Sequence, residues 1–259
     1  IMYGVGGERS LVEMELDLEG YGGARPVRIG NAASTQLQLD AYGDLMLLSW
    51  RWHQRGYSPD DDYWRFLVDL VETVIERWQE PDQGIWESRG KPLHFVHSKA
   101  CCWAAVNFGV ALAEECVRKA PRTRWKAAAR QIREAIENDG YDRRRGVFRQ
   151  AFGRAALDSA LLLLPGTGFC SWTDERMVRT VAAIRAELME DGLLLRYRPE
   201  RMDDGLGRSA EGAFIACSFW LAEGLAHQGL VEDAREVYDR ASATSNDLGL
   251  FSEESDPRS

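Results

Sequence analysis

The chain has 259 residues, of which 45% are hydrophobic, so it can bury a large core and is not a disordered protein. Its formal net charge is −9, with 32 Lys and Arg against 41 Asp and Glu. This balance argues against a nucleic-acid partner, because phosphate-binding surfaces concentrate basic residues. No run of about eighteen apolar residues occurs and the first residues lack a signal-peptide pattern, so we expect no membrane partner.

Helical periodicity dominates the chain. The clearest stripe runs from Tyr63 to Trp78, with apolar residues at i, i+3, i+4 and i+7 spacing opposite a face of Asp and Glu. Ser58 as N-cap and Pro59 in the first turn mark its start. The same periodicity predicts eight helices, at about 32–55, 60–80, 94–118, 123–138, 154–164, 174–190, 210–227 and 230–245.

The segments between the helices carry shorter patterns. Alternating apolar residues at 147–152 and 193–197 predict small strands inside long loops. Glycines at 4–7 and 20–23 predict turns, because neither stretch has the Lys-Ser/Thr of a P-loop or the strand-helix frame of a dinucleotide fold.

The eight helices fall into four pairs. Connections within a pair are short, which is typical of antiparallel neighbours, whereas long connections follow each pair at 81–93, 139–153, 191–209 and from 246 onward. The first helix of a pair is apolar nearly all round and the second is amphipathic, as expected of inner and outer helices. We therefore predict an all-α fold, an α/α barrel or toroid, with its long loops and its function at one end. A closed barrel has six pairs, so four pairs predict an incomplete one.

The cysteines indicate a reducing compartment. Their number is odd, no CxxC spacing occurs, and four of the five lie in apolar helical stretches, so we expect reduced thiols and a cytoplasmic location. They are Cys101, Cys102, Cys116, Cys170 and Cys217.

Two of the long loops present carboxylates beside aromatic residues. Glu87 follows Trp86 before the third helix, and Glu253 follows Phe251 after the eighth, 166 positions later. Both loops open at the same end of the barrel, so we expect the carboxylates to share one mouth. Glycoside hydrolysis requires such a pair, because one acid protonates the leaving oxygen and the other activates water. In a chain with 41 acids, a solvated loop Glu is the competing interpretation.

Several strings of residues, in order along essentially the whole chain, resemble a known family. They resemble bacterial members of glycoside hydrolase family 15, which comprises glucoamylases, glucodextranases and trehalase-like enzymes. The strings lie at 25–31, 84–87, 94–99, 157–165, 211–214 with 217–220, and 250–254.

The resemblance implies an (α/α)6 barrel that releases glucose from α-linked glucosides by an inverting, exo-acting mechanism, without a metal or organic cofactor. Glu87 matches the family's general acid and Glu253 its general base, with Glu254 beside the base. Arg196 and Tyr197 match an Arg-Tyr pair that grips the terminal sugar. The resemblance leaves open whether the substrate is a starch end, an α-1,6-glucan or trehalose.

The resemblance also bears on domain organisation. Residues 1–259 are expected to form part of one α/α-barrel catalytic domain. The family's early Arg-Asp pair has no counterpart before Arg25, so we expect the N-terminal β-domain, the first helices and the last helix to lie outside this chain. Ser88 and Ser255 depart from many relatives at positions that shape the subsites.

Other residues are candidates for sugar contacts. Trp86 offers an apolar wall or a stacking platform for a sugar ring. Arg25, Arg28 and Asn31 lie in the loop that enters the first inner helix, where exposure to solvent is the competing interpretation.

Two histidines and a buried acid have structural interpretations as well. His94 and His97 lie three apart at a helix start near the mouth, but no acid or Cys joins them at metal-ligand spacing. We expect capping or packing roles, or for His97 a sugar contact, and no metal. Asp158 begins a buried helix and is expected to cap it.

Two rival functions remain open. A non-catalytic α-hairpin repeat that binds a protein or a sugar would place Glu87 and Glu253 on different surfaces. A sugar epimerase on the same barrel would need histidines in the pocket, and only His94 and His97 are placed for that role. An inverting hydrolase would separate the two carboxyl groups by roughly 6.5–9.5 Å.

Overall fold

The computed structural model describes residues 3–198 and 212–257. Within these ranges the α-helices are α1 (Asp40–His53), α2 (Asp61–Arg77), α3 (Val96–Glu115), α4 (Arg122–Ala135), α5 (Glu175–Leu188), α6 (Ile215–His227) and α7 (Val231–Ser242). Antiparallel pairs join strands β1 (Met14–Leu16) and β2 (Val27–Ile29), β3 (Tyr141–Asp142) and β4 (Val147–Phe148), β5 (Met189–Glu190) and β6 (Leu193–Leu194), and β7 (Ala213–Phe214) and β8 (Glu254–Ser255). No helix in the two ranges is long and apolar enough to cross a membrane.

Helix α2 shows how local sequence sets an outer helix. Asp60 caps it, because its Oδ1 accepts the backbone N–H of Tyr63 at 2.8 Å; the cap predicted at Ser58 is wrong. Acids follow in the first turn, where they suit the positive end of the helix dipole. One face is buried, namely Trp64, Leu67, Leu70, Val71 and Val74. The predicted stripe agrees at the last four of these, but it includes Phe66, which is 48% exposed, and omits Trp64.

Helix α3 lies at the centre of the main core. It is buried on nearly all sides, and α1, α2 and α4 pack against it. At Gly43 of α1 the two backbones approach so closely that an added Cβ would lie 2.5 Å from the Cβ of Cys101. The predicted inner and outer helices are confirmed in the pairs α3–α4 and α6–α7, whose first members are buried and whose second members are amphipathic.

The inner member of the third pair departs from the prediction. In place of an α-helix at 154–164, the chain forms short 3-10 turns at Ser159–Leu163 and Pro165–Thr167. The segment before them is held by neighbouring loops, since Ala156 O accepts from Gln150 N at 2.9 Å. Pro165 lacks the N–H that would continue a helix.

Two predicted helices begin later than the periodicity indicates. Residues 36–39 lead into α1 without helical structure, and Leu39 N donates to the Asp82 carboxylate at 3.1 Å instead of to a helical carbonyl. Residues 213–214 form β7, because their backbone pairs with 254–255. In both places a tertiary hydrogen bond overrides helix propensity.

The predicted strands at 147–152 and 193–197 are present as the shorter β4 and β6. The hairpin β1–β2 was not predicted, because its strands have only three residues each. All five cysteines are free thiols.

Candidate active site

Long loops meet at one end of the molecule and enclose a pocket of about 910 Å³. Its wall combines the loop before α3, residues 196–197, the start of α6 and the loop after α7. The lining residues are Asn31, Ala33, Ile85, Trp86, Glu87, Ser88, Arg89, Arg196, Tyr197, Phe214, Ile215, Ala216, Phe219, Trp220, Phe251, Ser252, Glu253 and Glu254.

Glu87 stands in a tightly braced loop, which we call the acid loop and define as residues 82–90. Its φ is 51°, in the left-handed region that costs a non-glycine residue energy, so surrounding contacts must hold it. Gln36 Nε2 donates to the backbone carbonyl of Glu87 and to that of Ser88, both at 3.1 Å. Gln38 Nε2 donates to the carboxylate Oε1 of Glu87 at 3.3 Å.

Asp82 forms the root of the acid loop. It is fully buried, and its Oδ2 accepts the backbone N–H groups of Leu39 at 3.1 Å and Gly84 at 3.3 Å. Burial raises the pKa of Asp82 to about 6. Asp40 is also buried, and burial raises its pKa, with the negative charge of Glu87 adding to the effect. The surroundings of Glu87 therefore include two buried carboxyl groups, those of Asp40 and Asp82.

Trp86 is fixed on several sides. Its Nε1 donates to Asp158 Oδ1 at 2.9 Å, and its ring centroid lies 5.7 Å from that of Phe214 and 5.8 Å from that of Trp220. The guanidinium carbon of Arg196 lies 5.5 Å from the same ring. The indole thus forms a rigid apolar wall beside Glu87.

Arg196 and Tyr197, which the resemblance matches to a sugar-gripping pair, both line the pocket. Arg196 is only 7% exposed, and its guanidinium carbon lies 4.2 Å from the Phe214 ring centroid. Tyr197 is buried against Phe95 and Ala151. A cation with a planar fork of donors therefore stands at the pocket wall, where sugar hydroxyls could accept from it.

Glu253 and Glu254 line the same pocket from what we call the late loop, residues 250–255. The loop is attached mainly by its backbone: Ile215 N donates to Glu253 O at 3.1 Å, and β8 pairs with β7. Both side chains are exposed, and Glu254 Oε2 accepts from Gly212 N at 3.1 Å. Glu87 and Glu253 therefore line one pocket from different loops.

Three predicted binding residues are not among those that line this pocket. Arg28 lies on the hairpin, with Nη2 3.0 Å from Glu15 Oε1. Arg25 is exposed, with Nη1 3.6 Å from Asp17. His97 is buried behind the pocket wall, and burial lowers its pKa to about 4.

The remaining candidates have structural roles in addition to any functional ones. Asn31 lines the pocket, and its Oδ1 caps a 3-10 turn by accepting from Ala33 N at 2.9 Å. His94 stacks on Phe152. Asp158 caps the turn at Ser159–Leu163, as predicted, by accepting from Ala160 N. Within 3–198 and 212–257, no group of three or more His, Cys, Asp and Glu could hold a metal.

The sequence interpretation missed Arg89 and Glu13. Arg89 lines the pocket two residues after Glu87, and both of its terminal nitrogens donate to Glu13 at 2.8 Å. Glu13 also accepts from Ala32 N at 3.2 Å, and these bonds, that to Arg89 foremost, lower its pKa to about 2. Proximity to Glu87 was a usable signal for Arg89, whereas nothing local marks Glu13.

Solved structures share this architecture. A chain described as a wild-type glycosidase superposes with a TM-score of 0.72 and 21% identity, covering 90% of this chain and 62% of that one. A glucoamylase from Hormoconis resinae gives a TM-score of 0.60 at 12% identity, covering 85% of this chain and 48% of that one. These likenesses identify the fold as that of the (α/α)6 barrel, here as an incomplete one.

Curated relatives lie closer in sequence. A trehalase of Mycobacterium tuberculosis is 46% identical over 260 residues, and a trehalase of Thermoplasma volcanium is 36% identical over 258. Each match covers 100% of this chain, but the chain spans only 38% and 41% of those proteins. The family model for glycosyl hydrolases family 15 matches residues 1–257, and the chain therefore belongs to that family.

Proposed function

We propose that the protein is an inverting, exo-acting glycoside hydrolase that releases glucose from α-glucosides, with trehalose as the favoured substrate. The observation that carries the proposal is the placement of Glu87 and Glu253, from loops 166 positions apart, in the wall of one pocket. The relatives named trehalases support the substrate. Residues 1–259 would form part of one catalytic barrel domain, in a cytoplasmic protein whose five free thiols suit a reducing compartment.

In the proposed reaction Glu87 is the general acid and Glu253 the general base. Glu87 gives its proton to the glycosidic oxygen as the bond from that oxygen to the anomeric carbon breaks. Glu253 removes a proton from a water molecule that attacks the same carbon from the opposite face. Attack from that face inverts the anomeric centre, so α,α-trehalose yields one β-glucose and one α-glucose.

The other pocket residues would bind and orient the sugar. Arg196 would donate to sugar hydroxyls, with Tyr197 beside it, and Trp86 would pack against the ring. Asn31 and Glu254 would contribute further hydrogen bonds from the rim. These roles are supported by the position of each residue in the pocket wall. The role of Arg196 is supported also by the aromatic rings that hold its guanidinium.

The geometry disfavours both rivals. A non-catalytic hairpin repeat would place the two carboxylates on different surfaces, yet both line one pocket. An epimerase would require histidines in the pocket, but neither His94 nor His97 lines it.

The test is glucose release from trehalose, maltose and isomaltose by the full-length gene product and by the variants Glu87→Gln and Glu253→Gln. We expect each variant to lower kcat by about 10²–10⁴-fold, the usual contribution of general acid–base catalysis. NMR of the fresh products should show β-glucose. Glu134→Gln is the matched control, because Glu134 is exposed on α4, away from the pocket. If either pocket variant kept turnover within threefold of wild type, the role of that residue would be refuted.

A further inference from the structure

We propose that Asp158 is a positioning residue that fixes the indole of Trp86 and, through it, the backbone that presents Glu87. This inference rests on the proposed role of Glu87 as general acid. Asp158 does not line the pocket, so it acts through another residue and not on the sugar.

The contacts of Asp158 go beyond those of a helix cap. Its Oδ1 accepts from Ala160 N at 2.8 Å, which is the capping bond, but the same oxygen also accepts from Trp86 Nε1 at 2.9 Å. Its Oδ2 accepts from Gln150 Nε2 at 3.0 Å. A Ser or Asn would cap the turn equally well. A carboxyl group that is only 2% exposed is costly to bury without partners, and here it accepts hydrogen bonds from Ala160, Trp86 and Gln150.

The hydrogen bond to Asp158 gives the indole a direction that its other contacts do not. Phe214 and Trp220 pack against the ring at 5.7 and 5.8 Å, and Arg196 lies 5.5 Å from it. Such apolar and cation–π contacts limit the position of a ring but allow it to slide or rotate in its plane. The N–H to carboxylate bond fixes the angle, because hydrogen bonds weaken steeply when they bend.

The orientation of Trp86 passes to Glu87 through the peptide bond that joins them. Glu87 has a φ of 51°, and its carbonyl and carboxylate are held by Gln36 and Gln38 on the α1 side of the loop. Asp158 supplies the matching restraint on the other side, through the residue before Glu87. Misplacement of a catalytic group by about 1 Å can cost on the order of 100-fold in rate.

A set of variants separates positioning from folding. Asp158→Ala removes the acceptor, and we expect kcat on trehalose to fall about 30- to 100-fold, with a smaller change in KM. Asp158→Asn keeps an oxygen for the indole and for Ala160, and we expect it to restore kcat to within about fivefold of wild type. Asp60→Ala is the matched control, because it removes the N-cap of α2 away from the pocket, and its kcat should be unchanged.

A double-mutant cycle tests whether Asp158 acts through Trp86. Trp86→Phe keeps a ring but removes the N–H, so the loss of kcat in the Asp158→Ala, Trp86→Phe double variant should be no larger than that of Trp86→Phe alone. Multiplicative losses would overturn the proposal, as would an Asp158→Ala enzyme with kcat within threefold of wild type. Should Asp158→Ala fail to fold, Trp86→Phe carries the test, because it removes the N–H that Asp158 accepts while keeping a ring; a Trp86→Phe enzyme with kcat within threefold of wild type would overturn the proposal.

The indole N–H resonance provides a readout that does not depend on catalysis. It is assigned by its disappearance in Trp86→Phe, and in Asp158→Ala it should move upfield and exchange faster with solvent. An unchanged resonance would overturn the contact. If Glu87→Gln remained fully active, the proposed function would fail, but this measurement and the cycle would still report on Asp158 and Trp86.

Discussion

The two carboxylates proposed for catalysis are held in different ways. Glu87 lies in a loop fixed by side chains from several parts of the chain, through Gln36, Gln38 and Asp82. Glu253 lies in a loop fixed by backbone pairing with the start of α6, and its side chain is exposed. A proton donor must meet one oxygen of a bound sugar, whereas a base meets a mobile water molecule. The difference indicates that orientation matters more on the acid side, and four experiments test this contrast.

The largest expected effect distinguishes the two roles by the leaving group. Glu87→Gln should lower kcat on trehalose by about 10²–10⁴-fold but retain most activity on α-glucosyl fluoride, because fluoride departs with little help from an acid. Glu253→Gln should lose both activities, since water must still be activated. Steady-state kinetics on the two substrates provides the check; equal losses for Glu87→Gln on both would contradict its role as acid.

The second experiment tests the root of the acid loop. The pKa of Asp82 is raised by burial from 3.8 to about 6, so its folded form binds a proton more tightly than its unfolded form. Its contribution to stability is therefore present below about pH 4 and lost as the pH rises through about 6. Relative to wild type, Asp82→Asn should gain about 2 kcal/mol of unfolding free energy between pH 4 and pH 7.

Urea denaturation at pH 4, 5, 6 and 7 measures that difference. Asp142→Asn is the matched control, because backbone hydrogen bonds from Arg145 and Arg144 and the charge of Arg149 lower the Asp142 pKa. Its stabilisation is lost only as the pH falls below the ordinary value of 3.8. The difference in unfolding free energy between Asp142→Asn and wild type should therefore stay constant from pH 5 to pH 7. If the unfolding free energy of Asp82→Asn also differed from that of wild type by a constant amount across this pH range, the pKa of the Asp82 carboxyl group would not be raised.

A smaller effect is expected at the brace between the hairpin and the acid loop. Glu13→Gln replaces the carboxylate that binds both terminal nitrogens of Arg89, and we expect kcat/KM to fall roughly 3- to 10-fold. Glu15→Gln is the control, since Glu15 lies two residues further along the chain and pairs with Arg28, which Glu13 also contacts, whereas Arg89 binds Glu13. Equal kinetics for the two variants would mean that the brace has no part in the site.

The smallest effect is expected in the late loop. Phe251 is 46% exposed and meets Phe219 edge-on at 5.6 Å, so Phe251→Ala should cost less than about 1 kcal/mol and alter KM by only a few-fold. Thermal unfolding and kinetics measure both quantities. A loss above about 2 kcal/mol would show that side chains, and not only the backbone, hold this loop.

The sequence predicted most of the outer architecture because periodicity is local information. Most of the predicted stripe of α2 is buried in the structure, with Phe66 exposed and Trp64 buried as the exceptions. Local periodicity could not show that Leu39 donates to Asp82, or that 213–214 pair with 254–255, since these bonds join distant segments. Where such a bond competes with helix formation, the helix begins at a later residue than the apolar periodicity predicts.

The site was predictable to the extent that its residues lie beside recognisable motifs. Trp86, Arg196 and Tyr197 follow from the family resemblance, and all three line the pocket. Arg28 pairs with Glu13 and Glu15 and does not line the pocket, and no local pattern in the sequence marks these two contacts. Asp158 was predicted as a cap, but its bond to an indole 72 positions away is not encoded in any local pattern.

The left-handed backbone at Glu87 has a consequence for how this protein would respond to selection. Glycine adopts that conformation freely, whereas a residue with a Cβ is disfavoured there by about 1–2 kcal/mol. Glu87→Gly would therefore remove the proposed general acid and relieve the backbone at that position, so we expect a protein with little turnover that resists heat at least as well as its parent. In a laboratory selection for thermal tolerance alone, position 87 is one at which substitutions should accumulate, because there the demands of turnover and of folding are opposed.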